Sequence, residues 1–285
     1  MAASEAPWLH EEVGLRMEQR LQWIKRSPTT WADWAPLRGG HKAAEAIRQR
    51  YAKASFHAVN AAGLPPATAT PGARRWWQAL GWRAQAADRA PLPMPDAGVD
   101  LLWANMLLHQ SADPQALIAR WHRAIAVDGF LMFSCLGPDS MGALRQLYAR
   151  LGWPAPSHEL TDMHDWGDML VQAGFAEPVM DMERISLSFS SPQALLQELR
   201  GLGRNLHVAR FQALRGRGWS ERLRQEIEQN LPRDAATGRL TLLFEIIYGH
   251  AYKPRPRPRM APETSLSVDE MRAALRQGRM RLPER

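Results

Sequence analysis

Asp33 opens the run Asp33-Trp34-Ala35-Pro36-Leu37-Arg38-Gly39-Gly40, which lies between a strand pattern and a helix pattern. In open α/β folds this junction is where a glycine-rich turn meets a ligand, because glycine lets the backbone approach closely and take positive φ. The run keeps the frame of such a turn, with an acid at its start and glycine at its end. Ala35 and Leu37 stand where two glycines are expected. Other chemistry finds little support. Ser134, Ser140 and Ser157 lack the strand-turn-helix setting of a nucleophilic serine. The His, Cys and Asp residues show no spacing that suggests a metal. Cys135 lies in an apolar strand and reads as core.

The elements that must position this turn follow from periodicity. Leu9, Val13, Met17, Leu21 and Ile24 recur at helical spacing and end at Ser27-Pro28, which predicts an amphipathic N-terminal helix. Residues 29–35 read as a strand, 41–54 as a helix and 55–60 as a short strand. A loop over 61–72, a short helix over 74–80 and a weak strand over 82–87 follow. Residues 99–105 form an apolar run, as a buried parallel strand requires. Asp113-Pro114 predicts a capped helix start, and Phe130–Leu136 a further buried strand. Helices are expected at 139–151, 163–173, 192–206 and 220–230, with strands at 180–190 and 239–250. Alternating strands and helices imply a mostly parallel sheet covered on both faces. Ligands bind beyond the carboxyl ends of such strands, which puts residues 35–40, Asn60, Asp88, 105–110 and 136–140 on one rim.

At 285 residues and 45% hydrophobic, the chain can build a large α/β core. One cysteine excludes an internal disulfide, and the absence of a long apolar run argues against a membrane span. A cytoplasmic protein is the expectation. The net charge of +7 suits acidic partners. Outside the tail no Lys/Arg stripe interleaves with exposed aromatics, which argues against nucleic acid. The expected division is a domain over 1–252, with an N-terminal helix at 1–27 and a helical lid at 191–232. A Pro/Arg-rich linker and short C-terminal helix, opened by the capping pattern Ser267-x-x-Glu270, would fill 253–285.

Four blocks carry a family resemblance: Pro7–Val13, Pro91–His109 continuing through Asp113–Gly137, Leu199–Arg210 (LRGLGRNLHVAR), and Arg239–Tyr252 (RLTLLFEIIYGHAY). Together they resemble class I S-adenosylmethionine-dependent methyltransferases, and within these the malonyl-acyl carrier protein O-methyltransferases of biotin synthesis. The resemblance implies a Rossmann-like fold with an antiparallel last strand and a helical lid. It implies S-adenosylmethionine as cofactor and acyl carrier protein bearing a malonyl group as partner. Carried over, Asp33 is the acid that opens the cofactor turn and Gly39 its third glycine. Asn60 takes the place of the acid on the ribose hydroxyls, Asp88 lies near the adenine amine, and Asn105 flanks the methionyl part. Arg200 and Arg204 in the lid are candidates to grip the malonyl carboxylate, with His109 and His207 as hydrogen-bond donors; surface charge and structural histidine are the competing readings. The altered turn leaves three functions open: a working O-methyltransferase, a methyltransferase-like binding protein without catalytic activity, or a methyltransferase with another substrate.

Overall fold

The computed structural model describes residues 6–59, 96–213, 215–256, 269 and 272, leaving aside the side chains of Leu37 and Arg38. Asn60, Asp88, the expected helix and strand over 74–87 and the Ser267–Glu270 capping pattern lie outside the described residues. Met1–Pro254 form one compact unit and Arg255–Arg285 a second, in which residues 269 and 272 are helical.

The described strands are β1 (Thr30–Trp34), β2 (Ser55–Val59), β3 (Val99–Ala104), β4 (Ile125–Leu136), β5 (Ala176–Phe189) and β6 (Leu240–Tyr252). They form one sheet in the order β2-β1-β3-β4-β6-β5. The first four run parallel, and β6 lies antiparallel between β4 and β5. This is the Rossmann-like class I methyltransferase architecture that the resemblance implied. The chain turns from β2 back past β1 to β3, so a topological switch point falls at the carboxyl ends of β1 and β3.

Helices cover both faces. On one side α1 (Trp8–Arg20), α3 (His41–Arg50), α5 (Gly142–Arg150), α7 (Pro192–Leu202) and α8 (Arg217–Asn230) pack Leu9, Val13, Ile47, Leu147, Leu195 and Ile227 around Trp31 and Trp103. On the other, α4 (Pro114–Ala124) and α6 (Met163–Gln172) pack Ile118, Trp121, Trp166 and Leu170 against Leu102, Leu131 and Phe133. Asp113 caps α4 as its sequence predicts, accepting the Ala116 N–H at 2.9 Å. Between β1 and α3 lies a single helical turn, α2 (Pro36–Gly39).

Several boundaries differ from the sequence reading, each for a tertiary reason. β4 begins at Ile125, not Phe130, because Val99 pairs with Ile125 across an irregularity at Asp128, whose φ is 67°. α7 stops at Leu202 rather than 206. Gly203, at φ 150°, ends it where a side chain would sit 3.0 Å from Gln110. Lys253, the first residue of the expected linker, is bound to the domain: its Nζ donates to the His122 and Ile125 carbonyls at 2.8 and 2.7 Å.

The β4–β6 ladder leaves no room at Gly249, which faces Phe133. A Cβ there would lie 2.1 Å from the Phe133 ring. Gly249→Ala should therefore lower unfolding free energy by about 2 kcal/mol in urea denaturation.

Candidate active site

The turn after β1 keeps a glycine-like backbone at Ala35, where a glycine was expected. Ala35 has φ 67° and ψ 52°, the left-handed conformation that costs a non-glycine residue about 1 kcal/mol. Its N–H donates to the Val59 carbonyl at 2.6 Å, and its own carbonyl accepts the Gly39 N–H at 3.1 Å. Gly40, at φ 97°, then releases the chain into α3. The frame seen in the sequence thus survives in conformation, with Ala35 held in a strained region.

Asp33, the penultimate residue of β1, has its carboxylate buried, and neither oxygen has a partner among the described residues. Burial pushes its pKa up to about 7, against the opposing field of Arg48. A buried carboxylate with no donor is costly unless a ligand supplies one.

Asn105, at the end of β3, is also buried, but its side chain is fully used. Its amide donates to the His10 carbonyl at 2.7 Å and to the Gly39 carbonyl. Its oxygen accepts the Ser134 hydroxyl at 2.6 Å, and Ser134 Oγ in turn accepts the Met106 N–H at 3.0 Å. One side chain therefore joins α1, the cofactor-type turn, β3 and β4. Glu11 of α1 completes the clamp. Its carboxylate accepts the His41 and Lys42 N–H groups at 2.8 and 2.9 Å, capping the N-terminus of α3. Gly14 lets α1 lie this close, since a Cβ there would sit 2.9 Å from Ala43.

Beyond the ends of β3 and β4 is a cavity of about 100 Å³. Its lining includes His109, Leu136, Met141, His158, Leu199 and Arg204. His109 Nδ1 accepts the Leu136 N–H at 3.3 Å, so its proton resides on Nε2, which has no partner among the described residues. Burial pushes its pKa down to about 3, and the ring is a neutral donor at physiological pH. His158 bridges rim and lid: Nε2 donates to the His109 carbonyl at 2.7 Å, and Nδ1 accepts the Leu206 N–H at 3.4 Å. Gln110 Nε2 adds a second tie, to the Leu202 carbonyl at 2.8 Å.

Of the residues singled out in the sequence, Asp33, Gly39 and Asn105 meet at the turn, and His109 and Arg204 share the cavity. Arg200 is exposed and does not line it. His207 lies outside the lining too, with Nδ1 accepting the Ala209 N–H at 3.0 Å. Glu11 and His158 were not among the candidates, Ser134 was considered only as a nucleophile, and Gln110 was given a place on the rim but no tie to the lid. Their partners are backbone or side-chain groups distant in sequence, and no local spacing announces them. Among the described residues no group of three or more His, Cys, Asp or Glu is placed to hold a metal, and no helix is long and apolar enough to cross a membrane.

Residues 41–133 match a family model described as a methyltransferase domain, a match that begins just after the altered turn. The chain is 37% identical to the malonyl-(acyl-carrier protein) O-methyltransferase of Gallionella capsiferriformans over 87% of its own length and 85% of that protein. It is 36% identical to the enzyme of the same name from Laribacter hongkongensis, covering 88% and 84%. A solved phosphoethanolamine N-methyltransferase from Haemonchus contortus, in complex with S-adenosyl-L-methionine, aligns at 13% identity and a TM-score of 0.43 over 88% of this chain and 54% of that one, too distant to inform the site.

Two stability measurements probe the turn. Ala35→Gly should raise unfolding free energy by about 1 kcal/mol, because glycine takes the left-handed conformation without strain. Asp33 should make the ligand-free protein sensitive to pH. With its pKa raised in the folded state, the native form holds the extra proton, so stability declines as pH climbs from about 4 to about 7 and stays low above that. Asp33→Asn should remove this decline and be the more stable protein at pH 8, by on the order of 3–4 kcal/mol. Parallel stability–pH curves for the two proteins would refute the assignment.

Proposed function

Because the chain belongs to the malonyl-(acyl-carrier protein) O-methyltransferase family, we propose that it transfers a methyl group from S-adenosylmethionine to the free carboxyl of a malonyl group on acyl carrier protein, in biotin synthesis. The observation that carries this reading is the 37% identity over 87% of the chain.

The turn fits the cofactor on two counts. Asp33 offers a buried carboxylate with no donor among the described residues, suited to the ammonium of the methionyl group. The left-handed Ala35, with Gly39 and Gly40 behind it, keeps the backbone course that the glycine frame provides. Asn60 and Asp88 are the proposed contacts for ribose and adenine. Asn105 supports the turn from behind through the Gly39 carbonyl. When bound, the cofactor supplies an electrophilic methyl group on a sulfonium.

The chain's own residues then have a modest task. A malonyl carboxylate is already ionised at neutral pH, so no general base is needed. Orientation and exclusion of water decide the rate. Arg204 supplies a cation at the cavity for the carboxylate. His109 supplies a neutral N–H that keeps its protonation state across the working pH range. Arg200, outside the lining, is the weaker candidate for that grip. His158 and Gln110 hold the lid's 202–206 segment to the rim, closing the cavity over the reactants.

The first test is assay of methyl ester formation on malonyl-acyl carrier protein, with calorimetric titration of S-adenosylmethionine. No cofactor binding at millimolar concentration would overturn the reading in favour of an inactive binding protein; binding without turnover of this substrate would point to another acceptor. Arg204→Met should raise KM about ten-fold, and unchanged kinetics would remove Arg204 from the mechanism. Cofactor affinity should weaken as pH falls through about 7, where Asp33 takes up its proton, and Asp33→Asn should flatten that dependence.

A further inference from the structure

Ten of the described arginines form ion pairs. Arg16 meets Glu12 and Glu183 at 2.8 Å, Arg20 meets Asp181 at 2.7 Å, Arg50 meets Glu18 at 2.6 Å and Arg184 meets Asp139 at 2.7 Å. The lid is different. Between Glu198 and Glu221 the sequence carries five arginines, at 200, 204, 210, 215 and 217, and no carboxylate. Among the described residues none of the five forms an ion pair within 4.0 Å. Arg200, Arg204, Arg210 and Arg217 are exposed. Arg215 is used internally, stacked 4.2 Å from the Phe211 ring centroid and 4.0 Å from that of Trp219.

Large apolar side chains sit among these charges. Val208 is 87% exposed and Phe211 47%. The segment is anchored rather than loose: Asn205 donates to the Ala155 carbonyl at 2.9 Å, and Trp219 packs on Trp153 at 5.3 Å between centroids. It also begins at the cavity, since Arg204 and Asn205 line it. An anchored strip with apolar residues between uncompensated cations, starting at the substrate cavity, has the composition of an interface.

We infer that the 200–217 segment is the docking face for the carrier protein itself, with Arg210 and Arg217 steering an acidic surface and Val208 and Phe211 forming the apolar contact. The inference rests on the reading of the cavity as the site for a carrier-borne thioester. A carrier that presents its acyl group on a flexible arm must seat its body beside the cavity entrance, and this strip, without ion pairs among the described residues, continues from the lining. Rim cations of this kind act mainly on encounter rate and are screened by salt.

The test is a double charge reversal, Arg210→Glu with Arg217→Glu, in the full chain, neither residue belonging to the cavity. KM for malonyl-carrier protein should rise roughly ten-fold at low ionic strength and converge on the wild type at high salt. Kinetics on the small thioester malonyl-pantetheine should not change, which also reports that the variant is folded. Arg210→Lys with Arg217→Lys should behave as wild type. Equal loss on both substrates, or no loss on either, would overturn the docking face. So would a reversal that dissociates a dimer or releases a DNA duplex while carrier kinetics stay the same. Should the wild type methylate neither substrate, the proposed reaction fails; calorimetry with unacylated holo-carrier protein then decides docking alone, and binding that the reversal leaves unchanged would overturn it.

Discussion

An asparagine amide has two donor hydrogens and one acceptor oxygen, and those of Asn105 reach three separate parts of the fold. The donors hold the His10 carbonyl of α1 and the Gly39 carbonyl of the turn, while the oxygen holds Ser134 on β4. All of this is buried, where a missing partner costs about 1–3 kcal/mol. The position of α1 over the turn, the course of α2 and the spacing of β3 and β4 at their carboxyl ends are therefore one linked arrangement. A shift in any of them would strand a polar group on the others. The loss of glycines from the turn becomes intelligible in this setting. Glycine in such a turn ordinarily supplies conformational freedom, and here contacts from Asn105 and Glu11 hold a less permissive sequence in place, with Ala35 at positive φ.

Much of the fold was legible because its signals are local. β3 and β6 are apolar runs bounded by turns, α4 carries its own cap, and the strand–helix alternation leads to a mostly parallel sheet. The errors share a cause. The end of α7 depends on Gly203 lying against Gln110, and the start of β4 on an irregular pairing with β3, contacts between residues roughly 25 to 95 positions apart. Periodicity contains no information about either.

The site divides in the same way. Asp33, Gly39 and Asn105 were recognisable by their places in a familiar frame, and Arg204 by a lid block. Nothing in the sequence could show that Asn105 would spend its whole side chain on protein partners, or that Asp33 would be left with none among the described residues. His158 is the clearest omission. It joins the His109 carbonyl to the Leu206 amide, so its role consists of two backbone groups 97 positions apart. Arg200 shows the reverse: four positions from Arg204, of the same type and in the same block, it falls outside the cavity. The end of α7 at Gly203, not residue type, separates the two: Arg200 lies on the helix and Arg204 beyond it.

Glu11 also bears on which ligands the fold refuses. In dinucleotide-binding sheets the first helix after the turn offers its free amides and positive dipole end to a pyrophosphate. Here those amides, at His41 and Lys42, are already taken by a carboxylate of the chain itself. A phosphate arriving at this point would find its donors occupied and a like charge in its way. Phosphate binding at these two amides is thereby opposed, while an adenosine ligand without a phosphate meets no such objection there. The N-terminal helix acts as a filter of ligand charge, at a place where the rest of the architecture would admit either kind.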